Sequence, residues 1–276
     1  MTTTPLLDSL DRIQSTDVTW HEDERPVLVA DGVVRRIRDL DAVVNTARAH
    51  VVGINQHDLE RLAGHLRTSE LRIYEMRVPD LAPLASIGPL SRLAIEWNTK
   101  ATSLETLGQL VTLEILSLVD IPKARDLTPI ARLTRLRAFE FSGGIWTKNT
   151  ALSLAPLAQV DTLEELRLTN LRVLDGGLRP LAGCRSLRRL DVSNQFQTAD
   201  YAYLSVALPS TACDHFAPYV SLASPIGAKD VMVVGARKPF LHATTEARRL
   251  ATYVDAFRRL QDDAADELAR SPSRLG

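Results

Sequence analysis

The sequence predicts an α/β solenoid with a parallel β-sheet on its concave side and short helices on its convex side. Two short phrases recur along the chain, and the distance between them is constant. A chain of 276 residues is too long for most single compact cores, yet no stretch has the composition of a flexible linker. Stacked repeat units accommodate a chain of this length, because each added unit extends one core instead of enlarging a sphere.

The first phrase is an octet with apolar residues at positions two, five and eight. It occurs at Asp80–Ile87, Ser103–Leu110, Asp126–Leu133, Ser153–Val160 and Gly177–Cys184, with starts separated by 23, 23, 27 and 24 residues. Asp or Ser at the first position can cap the free N–H groups of a helical turn. The proline at the fourth position is tolerated within that first turn. The octet therefore predicts a short helix whose apolar stripe faces the strand layer.

The second phrase begins ten residues after each octet start and predicts a short strand. Its apolar positions are Leu90/Leu93/Ile95, Leu113/Leu116/Leu118, Leu136/Phe139/Phe141, Leu163/Leu166/Leu168 and Leu187/Leu190/Val192. Alternate residues of a strand point to the same face. Leu166 and Leu168 are therefore expected in the core, with Arg167 between them facing outward.

Fainter copies extend the predicted array to residues 39–216, which is about eight units with degenerate ends. These copies are Asp58–His65 with Leu71 and Ile73, Asp39 with Val52 and Ile54, and Asp200 with Cys213 and His215. Degenerate ends are expected because terminal units face water on one side. The chain is thus divided into an N-terminal cap (1–38), the array (39–216) and a C-terminal cap (217–276).

Both flanks contain secondary-structure signals of their own. Val27–Val34 holds two apolar runs around Asp31-Gly32, which predicts a β-hairpin that closes the N-terminal end. Val231–Val234 predicts a strand, and Thr244 is expected to cap a helix that ends near Ala269. This C-terminal α/β cap is interpreted as covering the last repeat; a partner-binding helix is the alternative.

The units resemble the short leucine-rich repeats of bacterial proteins such as the internalins. The resemblance is carried by stretches like Asp126–Phe141 and covers about two thirds of the chain. It implies a leucine-rich repeat solenoid and no particular partner. One position departs from the pattern, since such repeats carry Asn or Cys at the ninth position of the strand phrase. Here that position holds Asn98, Ile121, Gly144, Leu171 and Gln195, so either the turn is shifted by one residue or the ladder is incomplete.

Composition and motifs make several classes of function unexpected for this sequence. Lys plus Arg (33) balance Asp plus Glu (34), which argues against nucleic acid or a membrane surface as the main partner. The N-terminus predicts neither a signal peptide nor a membrane span, and two cysteines cannot form a disulfide scaffold, so a cytoplasmic protein is expected. The preference for Arg over Lys suggests a high-GC bacterial source. No cofactor or metal motif is present.

The cluster Cys213-Asp214-His215 is the most obvious candidate for nucleophilic chemistry. Adjacent residues of a strand point to opposite faces, which does not supply the geometry of a thiol–imidazole pair. In the repeat frame, Cys213 and His215 occupy core positions, so a buried thiol and a hydrogen-bonded core histidine are expected. Cys184 and His65 hold the eighth position of their octets and are also expected in the core.

The predicted functional surface is the outward row of the sheet, where aromatic and charged side chains alternate. Its candidate residues are Arg72, Tyr74, Glu96, Trp97, Asp120, Glu140, Arg167 and Asp191 on the concave face and Trp146 in a loop. Aromatic residues beside Arg and Glu are typical of interface anchors. The loop Ser142–Thr150 contains the extra four residues of the longest unit, and it either folds onto the solenoid or offers an anchor to a partner.

The sequence therefore favours a non-enzymatic module that binds a protein partner through the concave face. An inhibitor or immunity-type protein that blocks a toxin or an enzyme is one form of this hypothesis. The alternative is an enzyme or small-ligand-binding protein with its site in 217–276. The sequence leaves the partner and the oligomeric state open.

Overall fold

The computed structural model describes residues 5–11, 26–30 and 32–270. In chain order, the strands of these residues are β1 (Val27–Ala30), β2 (Val33–Arg36), β3 (Val44–Asn55), β4 (Leu66–Arg77), β5 (Arg92–Glu96), β6 (Ile115–Val119), β7 (Ala138–Ser142), β8 (Asn149–Ser153), β9 (Glu165–Leu168), β10 (Leu171–Asp175), β11 (Arg189–Val192), β12 (Tyr219–Ile226), β13 (Lys229–Val233) and β14 (Phe240–Leu241). The α-helices are α1 (Asp8–Asp11), α2 (Gln56–His65), α3 (Thr198–Ala207) and α4 (Ala247–Arg270).

Within the described residues, the main sheet has nine strands in the order β11-β9-β7-β6-β5-β4-β3-β1-β2. From β3 to β11 all neighbours are parallel. The apolar positions of the strand phrase lie in one row, with Leu71 beside Leu93, then Leu116, Phe139, Leu166 and Leu190. Each is buried in a continuous core. The predicted solenoid is confirmed, because identical offsets in sequence become one register in space.

The octets form 3₁₀-helices on the opposite side of the core. They span Ala82–Ser86, Leu107–Gln109, Thr128–Arg132, Ala155–Gln159 and Arg179–Gly183. The predicted side-chain hydrogen bonds are present, but their acceptors stand one residue before the N-cap residues Leu81 and Leu127. The carboxylate of Asp80 accepts a hydrogen bond from the Ala82 N–H at 2.9 Å, and Asp126 accepts one from Thr128 at 2.8 Å. Hydrogen bonds from the side chain and backbone of Thr128 lower the pKa of Asp126. The i→i+3 hydrogen bonds of a 3₁₀-helix make a tight turn, so each octet is short enough to fit beside the strand of its own unit.

The departure at the ninth position has a structural explanation. Asn98 is buried, donates to the Val78 carbonyl at 3.0 Å and accepts from the N–H groups of Lys100 and Ala101. In the next unit, Ile121 has no amide side chain, and its N–H donates at 2.8 Å to Asn149 from the inserted segment. Asn149 in turn donates to the Ser142 carbonyl at 2.8 Å. The turn ladder is completed there by an asparagine from the following unit.

The N-terminal end of the sheet is formed by two antiparallel strands. β1 pairs with β2 and with β3. Gly32 has φ +73° in the hairpin turn, while Asp31 lies outside the described residues. In the first unit, the prediction of Val52 as the first core position is wrong by three residues. Ala49 pairs with the core residue Leu71, whereas Val52 pairs with Tyr74. Gly53, at φ +73°, lies opposite Glu75, which also has a positive φ, and Ile54 enters the core beside Met76.

The C-terminal residues contact the end of the array through several polar groups. Asn194 binds Val233 and Gly235 through its amide at 2.9 and 2.6 Å. Arg179 pairs with Glu267 of α4 at 2.7 Å, and Phe257 of α4 joins the main core. The helix begins at Ala247 rather than directly after Thr244, because residues 243–246 form a turn in which Glu246 accepts from the His242 N–H.

Asn149 provides a test of the completed ladder. Substitution with alanine leaves the buried Ile121 N–H without its acceptor. It also removes one hydrogen bond of the Ser142 carbonyl, which still accepts from the Asp120 N–H. We therefore expect the free energy of unfolding to fall by about 1–3 kcal/mol. Urea denaturation measures this loss. The exposed neighbour Lys148→Ala is the control and should change stability by less than about 0.5 kcal/mol; equal effects of the two substitutions would contradict the bridging role.

Candidate functional site

One position at the carboxyl edge of the sheet has an unusual backbone conformation in several units. The residue seventeen positions after the octet start has positive φ at Glu75 (57°), Trp97 (59°), Asp120 (55°) and Asn170 (46°). Asn and Asp tolerate this left-handed region, but a bulky aromatic residue rarely occupies it. Backbone strain of this kind is found preferentially at functional positions, which singles out Trp97.

Trp97 and Tyr74 form an exposed aromatic pair at this edge. Their ring centroids lie 6.0 Å apart with the planes tilted by 55°. Trp97 is 41% and Tyr74 39% exposed. Tyr74 lies near the end of β4 and Trp97 directly follows β5, and parallel neighbours end at the same edge of the sheet. The pair therefore presents aromatic area to solvent from adjacent units.

The inserted loop lies at the same edge, after β7. Its base is held by the Asn170 amide, which donates to the carbonyls of Gly144 at 2.7 Å and Thr147 at 3.2 Å. A side chain at Gly144 would meet the carboxylate of Asp120 at 2.6 Å, so only glycine allows this approach. Ile145 and Trp146 are 88% and 95% exposed. Of the two predicted alternatives, the loop does not fold onto the solenoid, since both apolar side chains point into solvent.

The centre of the concave face is covered by the N-terminal segment 5–11. Leu7 and Leu10 are each only 3% exposed, and they pack on Ala94, Ile115 and Ala138. The α1 turn places Leu7 and Leu10 on one side, since the Leu10 N–H donates to the Leu7 carbonyl at 2.9 Å. This contact was not predicted from the sequence, because a short Leu-Asp-Ser-Leu stretch gives no indication of where it docks.

Polar contacts hold the segment on both sides of this apolar patch. Asp8 accepts from Arg167 at 2.7 Å, and the Leu7 N–H donates to the Glu165 carboxylate at 3.2 Å. Arg92 donates to the Ser9 hydroxyl. Burial opposes the charge of Arg167, but the hydrogen bond to Asp8 and the nearby carboxylates raise the pKa of its guanidinium above its usual value.

Several of the predicted concave-face residues are paired in two separate sets of polar contacts rather than forming a uniform open surface. Glu140 accepts from Ser117 at 2.8 Å and lies 3.9 Å from Arg167, which also binds Asp191 at 3.1 Å. Arg72 pairs with Glu96 and is only 3% exposed. The expectation that Arg72 belongs to the accessible row is therefore wrong, because its guanidinium is covered.

The Cys213-Asp214-His215 cluster departs from the predicted strand. Asp214–Phe216 is a 3₁₀-helix, and both Cys213 and His215 are half-buried. His215 stacks on Tyr201 at 5.4 Å, and its buried Nε2 has no hydrogen-bond partner among the described residues. Burial raises the pKa of Cys213 to about 11 and that of Cys184 to about 12. Neither thiol is an activated nucleophile.

A cleft of about 250 Å³ lies beside this cluster. Its walls come from β11 and residues 212–215, together with Pro5, Asp8 and Arg167. Residues 217–276, where the alternative hypothesis places a ligand site, do not line it. Over the described ranges, no group of three His, Cys, Asp or Glu residues could hold a metal ion. None of the helices in these ranges is long and apolar enough to cross a membrane.

The stacked strands, octet helices and turn asparagines define a leucine-rich repeat solenoid. Two similar solved structures are internalins of Listeria monocytogenes, the group that the repeat phrases resemble. Internalin C2 is 20% identical, with 64% of this chain and 73% of that chain covered and a TM-score of 0.47. The second internalin is 16% identical, with 75% and 73% covered and a TM-score of 0.35. No protein-family model and no curated protein matches the chain.

The strained backbone at Trp97 leads to a stability prediction. Trp97→Ala and Trp97→Gly both remove the indole, but alanine keeps a Cβ at φ 59° and glycine does not. We therefore expect the glycine variant to be more stable than the alanine variant by about 1 kcal/mol. Thermal or urea unfolding of the pair measures the difference. If the alanine variant is equally stable, the left-handed conformation at this position carries no strain.

His50 on β3 leads to a pH prediction. Burial, together with the charge of Arg72, lowers the pKa of His50 from 6.5 to about 4. Between these values the unfolded chain binds a proton that the folded chain does not, so this contribution to stability is lost as the pH falls from 6.5 to 4. It amounts to at most about 3 kcal/mol. His50→Gln should lose less stability over this range in urea titrations; identical slopes would contradict the assignment.

Proposed function

We propose that the protein is a protein-binding module whose partner contacts the carboxyl edge of the concave sheet. The binding surface, here named the aromatic edge, consists of Tyr74, Trp97, Ile145 and Trp146. The observation that carries the proposal is that these large apolar side chains are exposed at the same edge of the parallel sheet, near the ends of β4 and β5 and after β7, with β6 between β5 and β7. Aromatic residues held on rigid elements are typical interface anchors, because little side-chain freedom is lost on binding.

Two features support binding over chance exposure. Trp97 holds a left-handed backbone that glycine or asparagine would adopt at less cost, so stability alone does not account for a tryptophan there. The loop base is tied by Asn170 and fits closely against Asp120, so Trp146 projects from a fixed support. A partner surface that offers apolar pockets matches this edge. The predicted concave residues Glu140, Arg167 and Asp191 lie outside this edge and pair with one another. An inhibitor or immunity-type role would be one form of this binding.

Paired variants test the aromatic edge. The intact protein, Trp97→Ala/Trp146→Ala and the matched control Val111→Ala/Leu174→Ala are immobilised and exposed to lysate of the source cell. Val111 and Leu174 are also exposed apolar residues, but they lie outside this edge. We expect a partner to be retained at least ten-fold less by the edge variant than by the intact protein or the control. Equal retention by the edge variant, with its fold verified by unfolding, would exclude the aromatic edge as the binding surface.

A further inference from the structure

The apolar patch under segment 5–11 interrupts two otherwise polar rows of the concave face. One row runs Glu70, Arg92, Ile115, Ala138, Glu165 and Arg189 across the paired strands. The adjacent row runs Arg72, Ala94, Ser117, Glu140, Arg167 and Asp191. Ile115, Ala138 and Ala94 are the apolar members of these rows, and they are the residues on which Leu7 and Leu10 pack. The change in residue type thus coincides with the place that the segment occupies.

The polar groups around this patch are oriented by contacts with one another as well as by the segment. Asp191 and Glu140 orient the Arg167 guanidinium, with Asp191 3.1 Å from its Nε. This directs the Nη2 group toward the carboxylate of Asp8. On the other side Arg92 lies 3.6 Å from Glu70 and meets the Ser9 hydroxyl. An acidic side chain directly after the first leucine is therefore matched to a preorganised guanidinium.

The segment contacts the sheet as a ligand would, rather than as a repeat unit. Its partners Arg92 and Glu165 are 83 and 158 residues away in sequence. It adds no strand to the sheet, and its own helical turn is closed locally by the Ser9 and Leu10 N–H groups. Residues 12–25 join it to the strand β1. The same contacts can be made by a short turn of like sequence on another protein, in the manner of a helix bound in a groove.

We propose that the concave face is a binding groove for short Leu-Asp-x-Leu turns and that residues 5–11 occupy it as a tethered ligand. The groove consists of Ala94, Ile115 and Ala138 with Arg92, Glu165 and Arg167. Its partner is a protein segment with two aliphatic side chains three residues apart and an acidic side chain after the first. Such a partner has to displace the N-terminal segment, which competes intramolecularly. This groove is separate from the aromatic edge and does not depend on it.

A fluorescent, end-capped peptide with the sequence of residues 5–11 tests the groove by anisotropy. In the full-length variant Leu7→Asp/Leu10→Asp the resident segment is no longer apolar, so the peptide should bind saturably. Binding to the unaltered protein should be at least ten-fold weaker, because its own segment occupies the groove. A peptide in which Asp8 is replaced by lysine should bind the variant at least ten-fold more weakly, since it opposes Arg167. A scrambled peptide of the same composition is the control.

Two outcomes would overturn the groove. One is that the variant, verified as folded by its unfolding transition, binds the peptide no better than the scrambled control. The other is that the unaltered protein binds the peptide as tightly as the variant does. The aromatic edge is tested independently by adding Trp97→Ala/Trp146→Ala to the same variant, which should leave peptide affinity unchanged. Lysate capture thus tests only the aromatic edge, and peptide binding tests only the groove, so a failure of one proposal is distinguishable from a failure of the other.

Discussion

Strand register is the constraint that keeps the core of this solenoid continuous. In the main sheet the parallel strands from β3 to β11 pair with the strands of neighbouring units, so a slip by one residue would turn a row of leucines out of the core. The constant offset of ten residues between octet and strand keeps Leu116, Phe139 and Leu166 in one row. The core is thus continuous because each unit repeats the geometry of its neighbour, and no unit has a core of its own.

The edge of the sheet shows how this constraint is met where the sequence varies. After β5 the turn is satisfied within its own unit by Asn98, whereas after β6 the amide comes from Asn149 in the inserted segment. The insertion that exposes Trp146 therefore also supplies the amide that completes the turn ladder. Since Asn149 and Asn170 hold both sides of the loop base, an exposed loop is supported without loss of the repeat geometry.

The outward face divides into two surfaces with different physical character. At its centre, Ala94, Ile115 and Ala138 are covered by Leu7 and Leu10, and the surrounding charges are paired with one another. At the carboxyl edge, Tyr74 and Trp97 pack against each other with tilted rings and remain exposed. The residue types alone suggested one uniform concave face, whereas the structure has a centre covered by segment 5–11 beside an exposed aromatic pair.

Local patterns in the sequence predict the repeat, its core positions and the side-chain hydrogen bonds at the octet starts, because these depend on spacing and on groups two residues apart. Other features depend on contacts that local spacing does not encode. The burial of Arg72, the partner of Ile121 and the position of segment 5–11 each depend on groups more than twenty residues away. The frame of the end units also needed the structure, since Ala49 rather than Val52 pairs with Leu71 and a 3₁₀ turn at Asp214–Phe216 replaces the predicted strand. There, packing against a single neighbour outweighs the pattern.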